Sequence, residues 1–188
     1  MSESTSLRDQ FLISMPHLDD RHFSNTLTYI CDHSEYGAMG IIVNRPAGML
    51  VHDLFAHIDL DYSKIAIDPM PVFRGGPIHQ DRGFVLHRDD GSRWLSSHSI
   101  TGDIRLTTSM DILEAIAVGE GPKDYLVALG YAGWSPGQLE QEICDNTWLS
   151  CPANSDIMFK LPAEERLQAA AASLGVNLQL MTAHAGHA

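Results

Sequence analysis

The pentapeptide Gly133-Trp134-Ser135-Pro136-Gly137 has the spacing of a G-x-S-x-G nucleophile elbow, between an apolar run at Leu126–Leu129 and a polar stretch of helical spacing. Asp156 and then His184 or His187 supply the order of a Ser-Asp-His hydrolase. The chemistry fails at one atom. The residue after the serine must donate its backbone N–H to the developing oxyanion, and that residue is Pro136, which has none. Losing one such donor costs roughly 3 kcal/mol of barrier. The same residues predict a helix start, with Ser135 as N-cap, Pro136 in the first helical position and Gln138 completing a capping box. No catalytic residue is assigned.

A second chemistry is anion binding. Asn44-Arg45-Pro46, Gly75-Gly76-Pro77 and Gly130–Gly133 read as three tight bends at strand ends. If they converge, the helix start at Ser135–Gln138 offers backbone N–H groups and partial positive charge, with Arg45 or Arg74 as counter-charge. The expected groove contains Asn44, Arg45, Gly75, Gly76, Tyr131, Trp134 and Gln138. The competing reading is plain chain reversal, since glycines also permit close strand packing without a ligand.

Other reactive residues read as structural. His52 and His57 do not share a helix face, and His184-x-x-His187, though spaced for chelation on a helix, lies in the C-terminal tail; no metal and no cofactor is expected. Cys144 and Cys151 are expected to pack as small apolar groups. Three cysteines without a Cys-x-x-Cys pair suit a reducing compartment. Glu140, Glu142 and Asp145 are expected on a solvated helix face, and Thr108 with Asp111 as a capping box.

The elements that must position these residues follow from periodicity and punctuation. Residues 1–10 read as a polar tail and 11–188 as a single domain. Phe11–Ser14 is a short apolar run, and strands at Leu27–Cys31 and Met39–Val43 predict an antiparallel hairpin over Thr26–Arg45. Val51, Leu54, Phe55 and Ile58 share one helical face. Val72-Phe73 and Phe84–Leu86 read as a second strand pair joined by a turn-rich loop, with further strands at Trp94-Leu95, Ile104–Leu106 and Ile157–Phe159. Helices are expected around Ile112–Ile116, closing near Gly119, and from Pro162 to Leu174, closed by Gly175. Hairpins first and helices later predict an α+β fold on a mixed, mainly antiparallel sheet flanked by helices.

Of the 188 residues 44% are apolar and 19% charged, ordinary globular composition. With 12 basic and 24 acidic residues the net charge is −12, which disfavours wholesale nucleic-acid binding because phosphates demand Lys and Arg. No run approaches the roughly 20 apolar residues of a membrane helix, and the N-terminus lacks a secretion signal, so a cytoplasmic location is expected.

Several blocks in order are similar to the AlgH/YqgE family. They include Met15-Pro16 with Asp19 and Phe23, Gly37–Gly40 with Val43–Pro46, Gly75–Pro77, and Arg82–Phe84 through Leu86-His87. Thr107–Asp111, Leu129–Ala132, Gly137–Ile143, Asn146, Trp148-Leu149 and Ala185–Ala188 continue the match. The resemblance implies a bacterial cytosolic α+β domain with a partly barrel-like sheet. It implies little biochemistry: the family is named for regulation of alginate production, and its members are labelled transcriptional regulators. With no helix-turn-helix pattern and an acidic chain, the expectation is a non-enzymatic regulatory or binding protein. It would act through a small anionic ligand or a protein partner, with any effect on transcription indirect.

Overall fold

The computed structural model describes residues 5–62 and 69–184. Strand β1 (Gln10–Ser14) pairs antiparallel with β2 (Leu27–Ser34), and β2 with β3 (Gly37–Ile42), so the expected hairpin forms. β4 (Pro46–Leu50) leads into α1 (Val51–His57), which buries Val51 and Phe55 as the spacing predicts. β5 (Pro71–Arg74), β6 (Ile78–Arg88), β7 (Ser97–Ser99) and β8 (Ile104–Thr107) precede α2 (Met110–Ala117). The central strand β9 (Tyr125–Trp134), α3 (Gln138–Cys144) and β10 (Trp148–Pro152) follow, then α4 (Ser155–Lys160), α5 (Ala163–Ser173) and α6 (Leu178–His184).

The sheet order is β10-β1-β2-β3-β9-β6-β8-β7, with β5 parallel to β9 and β4 antiparallel to β5. This is the α+β single domain with a mixed, mainly antiparallel sheet, curled into a half-barrel. Its inner face carries Phe11, Tyr29, Ile41, Phe73 and Leu86, against which α4 and α5 lay Met158, Ala170 and Ala171. Helices α1 and α2 cover the outer face of β5, β6 and β9. Helix α3 covers a third cluster built on Leu12, Ile30, Trp134 and Trp148. Buried Arg166 on α5 donates to the carbonyls of Val43 and Leu161 and lies 4.8 Å from the Phe73 ring centre; burial pushes its pKa down to about 10. Arg8 donates to the carbonyls of Ser99 and Ile100, drawing the ends of the curl together. The chain is thus held from Leu7 onward, where the Leu7 N–H meets His33 Nδ1 at 2.8 Å and Asp9 accepts from the Tyr29 hydroxyl.

β9 corrects the reading of Gly130–Gly133 as a bend. The strand runs on through these residues because its far half finds partners in β3 (Gly40↔Ala132, Met39↔Gly133, Ala38↔Trp134). Gly130, at φ +78°, instead kinks the strand opposite a bulge in β6, where residues 79–82 stand against this single residue. The kink reverses the alternation: Leu126 and Ala128 face the inner core before it, whereas Tyr131 does so after it. The left-handed backbone at Gly130 therefore decides which way Tyr131 points.

Other expectations are overturned by tertiary context. β5 and β6 do not pair with each other; both pair with β9, from opposite sides. Ile157–Phe159 is helical, within α4, whose start is capped by the Asn154 side chain accepting from the N–H groups of Asp156 and Ile157. Trp94-Leu95 is not a strand: Trp94 packs on the α1–α2 cluster, Leu95 is 88% exposed, and the edge strand is the polar Ser97–Ser99. The cap of α2 is Ser109, whose hydroxyl bonds Asp111, rather than Thr108. α3 starts at Gln138 instead of Pro136, with Gly137 as N-cap; only half the expected box forms, the Gln138 side chain accepting from the Ser135 N–H at 2.9 Å. Cys144 is exposed, while burial raises the Cys31 and Cys151 thiols above their ordinary pKa.

Candidate functional site: a cation-rimmed cleft

The Gly75-Gly76 pair sits where β3, β5 and β9 meet. The Gly75 carbonyl accepts from Ile42 N–H, the Gly75 N–H donates to Leu129, and the Arg74 N–H donates to Arg45, each at 2.8 Å. A Cβ on Gly76 would stand 2.1 Å from the Tyr131 carbonyl carbon, and one on Gly75 2.2 Å from the Gly130 oxygen. Only glycine lets the link from β5 pass so close to β9.

On the outer face beside this junction lies a cavity of about 400 Å³. Its rim carries Arg21, Arg45, Arg74 and His22, with Gln80 from the β6 bulge. The Arg45 guanidinium is already engaged, donating to the carbonyls of Arg21, His22 and Ser24. It braces the 21–24 turn and so presents Arg21 and His22 to the cavity. Arg21 and Arg74 are exposed and make no ion pair or side-chain hydrogen bond with any described residue. Asn44 supports the same corner from behind, accepting from Leu27 N–H and donating to the Asn25 carbonyl.

The expected groove residues thus divide. Arg45 and Gly76 line the cleft, and Asn44 and Gly75 hold its backbone. Tyr131 and Trp134 line a separate, shallower concavity of about 600 Å³ with Arg82 and Phe84. Gln138 lines neither; its side chain bonds Ser135 N–H and Glu142, and α3 has only seven residues. Sequence reasoning missed Arg21, His22 and Gln80, since nothing local distinguishes a surface arginine that points into a cleft from one that points into water.

The hydrolase constellation does not assemble. Asp156 is held by Arg88, which also holds Asp124 at the entrance of β9, while Ser135 follows the opposite end of that strand. At about 3.3 Å per residue the strand sets the two roughly 30 Å apart. His187 lies outside the described residues, as does the Ala185–Ala188 block. Among the described residues no cluster of His, Cys, Asp and Glu is arranged to hold a metal ion.

Fold and cleft together define a single-domain α+β half-barrel with a cation-rimmed hollow where three strands meet. The chain belongs to the AlgH-like family, whose model matches residues 11–179. A UPF0301 protein of Thioalkalivibrio sulfidiphilus is 53% identical over 188 residues, covering 100% of both chains. One from Chromohalobacter salexigens is 52% identical, covering 97% of this chain and 98% of that one. The solution structure of AlgH from Pseudomonas aeruginosa matches with a TM-score of 0.77 at 48% identity, covering 100% of this chain and 99% of that one. A crystal structure from Corynebacterium diphtheriae, at 19% identity and a TM-score of 0.74, shares the fold.

Proposed function

We propose that this is a non-enzymatic binding protein that takes a small anion into the Arg21–Arg45–Arg74 cleft and acts through a protein partner, with any effect on transcription indirect. One observation carries the reading: in a chain of net charge −12, three guanidinium groups line one hollow, and two of them have no partner among the described residues. Cations held together without a counter-charge repel, and an anion relieves that repulsion while accepting charge-assisted hydrogen bonds. Two such bonds at roughly 1.5–3 kcal/mol each correspond to a dissociation constant between roughly 6 mM and roughly 40 μM for a bare oxyanion. No described helix is long and apolar enough to cross a membrane, and action in the cytoplasm fits the reading.

The test is calorimetric titration of the full chain with inorganic phosphate at low and moderate salt. Saturable binding that weakens with salt and is lost in Arg74→Ala is expected; equal heats in the parent and Arg74→Ala would remove the cleft from consideration.

A further inference from the structure

Resting on that reading, we infer that the cleft takes an amphipathic anion: a phosphate or carboxylate headgroup on Arg21 and Arg74, carrying a short aliphatic or acyl arm. The floor of the cavity, unlike its rim, is hydrocarbon. Ile42 from β3, Ala47 and Met49 from β4, and Leu129 from β9 line it, with no carboxylate among the lining residues. Arg74 and Leu129 are register partners across the parallel β5–β9 pair, so headgroup cation and apolar floor are adjacent. Ala47 and Met49, two apart on β4, share one face of that strand. Both are only partly covered by the α1–α2 cluster, leaving apolar surface open towards the cavity.

Size agrees with this division. A cavity of about 400 Å³ holds the liquid volume of roughly 13 waters, far more than a bare phosphate fills. An inorganic anion would engage the rim and leave the hydrocarbon floor wet. A ligand with an alkyl arm removes that surface from water, and each methylene buried strengthens binding about fourfold.

The experiment compares inorganic phosphate, butyl phosphate, octyl phosphate, octanoate and octyltrimethylammonium by calorimetry on the full chain, each below its micelle concentration. Octyl phosphate is expected to bind at least tenfold more tightly than inorganic phosphate, with butyl phosphate between them. Octanoate against octyl phosphate reports which headgroup the arginines prefer, and tight binding of either supports the inference. Met49→Ser should reduce the gain from the alkyl arm more than it alters phosphate affinity, whereas Arg74→Ala should weaken every anion. If a variant does not fold, the butyl-to-octyl comparison on the unaltered protein carries the test alone. Equal affinity for inorganic and octyl phosphate overturns the inference and leaves the anion reading standing. Failure of every anion, or binding of octyltrimethylammonium as tight as that of octyl phosphate, overturns both.

Discussion

Trp134 and Trp148 donate their indole N–H groups to the same carboxylate oxygen, Oε2 of Glu142, at 2.8 and 3.1 Å. The rings stand edge to face with centroids 6.2 Å apart, and Phe23 packs against both. A residue on α3 thereby ties the end of β9 to the start of β10, so Glu142 is far from the solvated carboxylate that its neighbourhood suggested. Glu140, two residues earlier on α3, is likewise engaged, as the partner of His33.

Glu142→Leu leaves both indole N–H groups unpaired beside the third core cluster. Each orphaned buried donor costs on the order of 1–3 kcal/mol, so the variant should lose about 2 kcal/mol or more in urea denaturation followed by tryptophan fluorescence. Glu142→Gln keeps an acceptor oxygen and should lose less. Equal losses in the two variants would show that the shared oxygen is not what holds the pair.

His87 predicts a pH dependence. It is 1% exposed; its Nδ1 faces the Arg88 carbonyl, which can only accept, so Nδ1 carries the proton and Nε2 accepts from the Thr107 hydroxyl at 2.7 Å. Burial lowers its pKa below 6.5, against the opposing pull of the Arg88 carbonyl and Asp90. Because the unfolded chain takes up the proton first as pH falls, stability attributable to His87 is level above pH about 6.5 and falls below it. The slope approaches about 1.4 kcal/mol per pH unit until the folded pKa is reached. Urea midpoints at pH 7.5, 6 and 5 should show this fall, and His87→Gln should flatten it.

Gly76 and Gly83 form a matched pair. The Cβ of Gly76→Ala meets the Tyr131 backbone at 2.1 Å, whereas nothing lies within 4 Å of a Cβ on Gly83. Gly76→Ala should cost about 3 kcal/mol or prevent folding, and Gly83→Ala should stay within about 0.5 kcal/mol of the parent. Chemical denaturation of both variants decides this, and a tolerated Gly76→Ala would contradict the close passage of β9.

Arg88 joins Asp103, Asp124 and Asp156 at 3.1, 2.8 and 2.7 Å, linking β6 to the turn before β8, the start of β9 and the first turn of α4. Arg88→Met leaves three carboxylates facing one another. Two of them are mostly exposed, so the cost should be only about 1 kcal/mol at low salt and should shrink as salt screens the repulsion. A cost unchanged between low and high salt would mean that packing on Phe159, 5.9 Å from the guanidinium, carries the effect.

What the residues alone determined was local. The β2–β3 hairpin, α1, α2 and α5 with its closing Gly175 follow from apolar spacing and from stop signals within a few positions of each element. The acidic balance and the ordered family blocks were equally legible, whereas Arg45, Arg74 and Gly76 share one corner only through the strand pairings of the folded chain. What only the tertiary structure decided was partnership. β5 and β6 look like a hairpin from their turns, yet β9, far downstream in the chain, separates them. Gly130–Gly133 looks like a bend until β3 supplies its ladder, and Ile157–Phe159 suits a strand or a helix equally until Asn154 caps it. The physical reason is that an apolar triplet or a glycine run has nearly the same local free energy in either conformation, so hydrogen-bond partners far along the chain make the choice. The same distant pairings turn Arg21 into the cleft and assign Glu142 its two tryptophans.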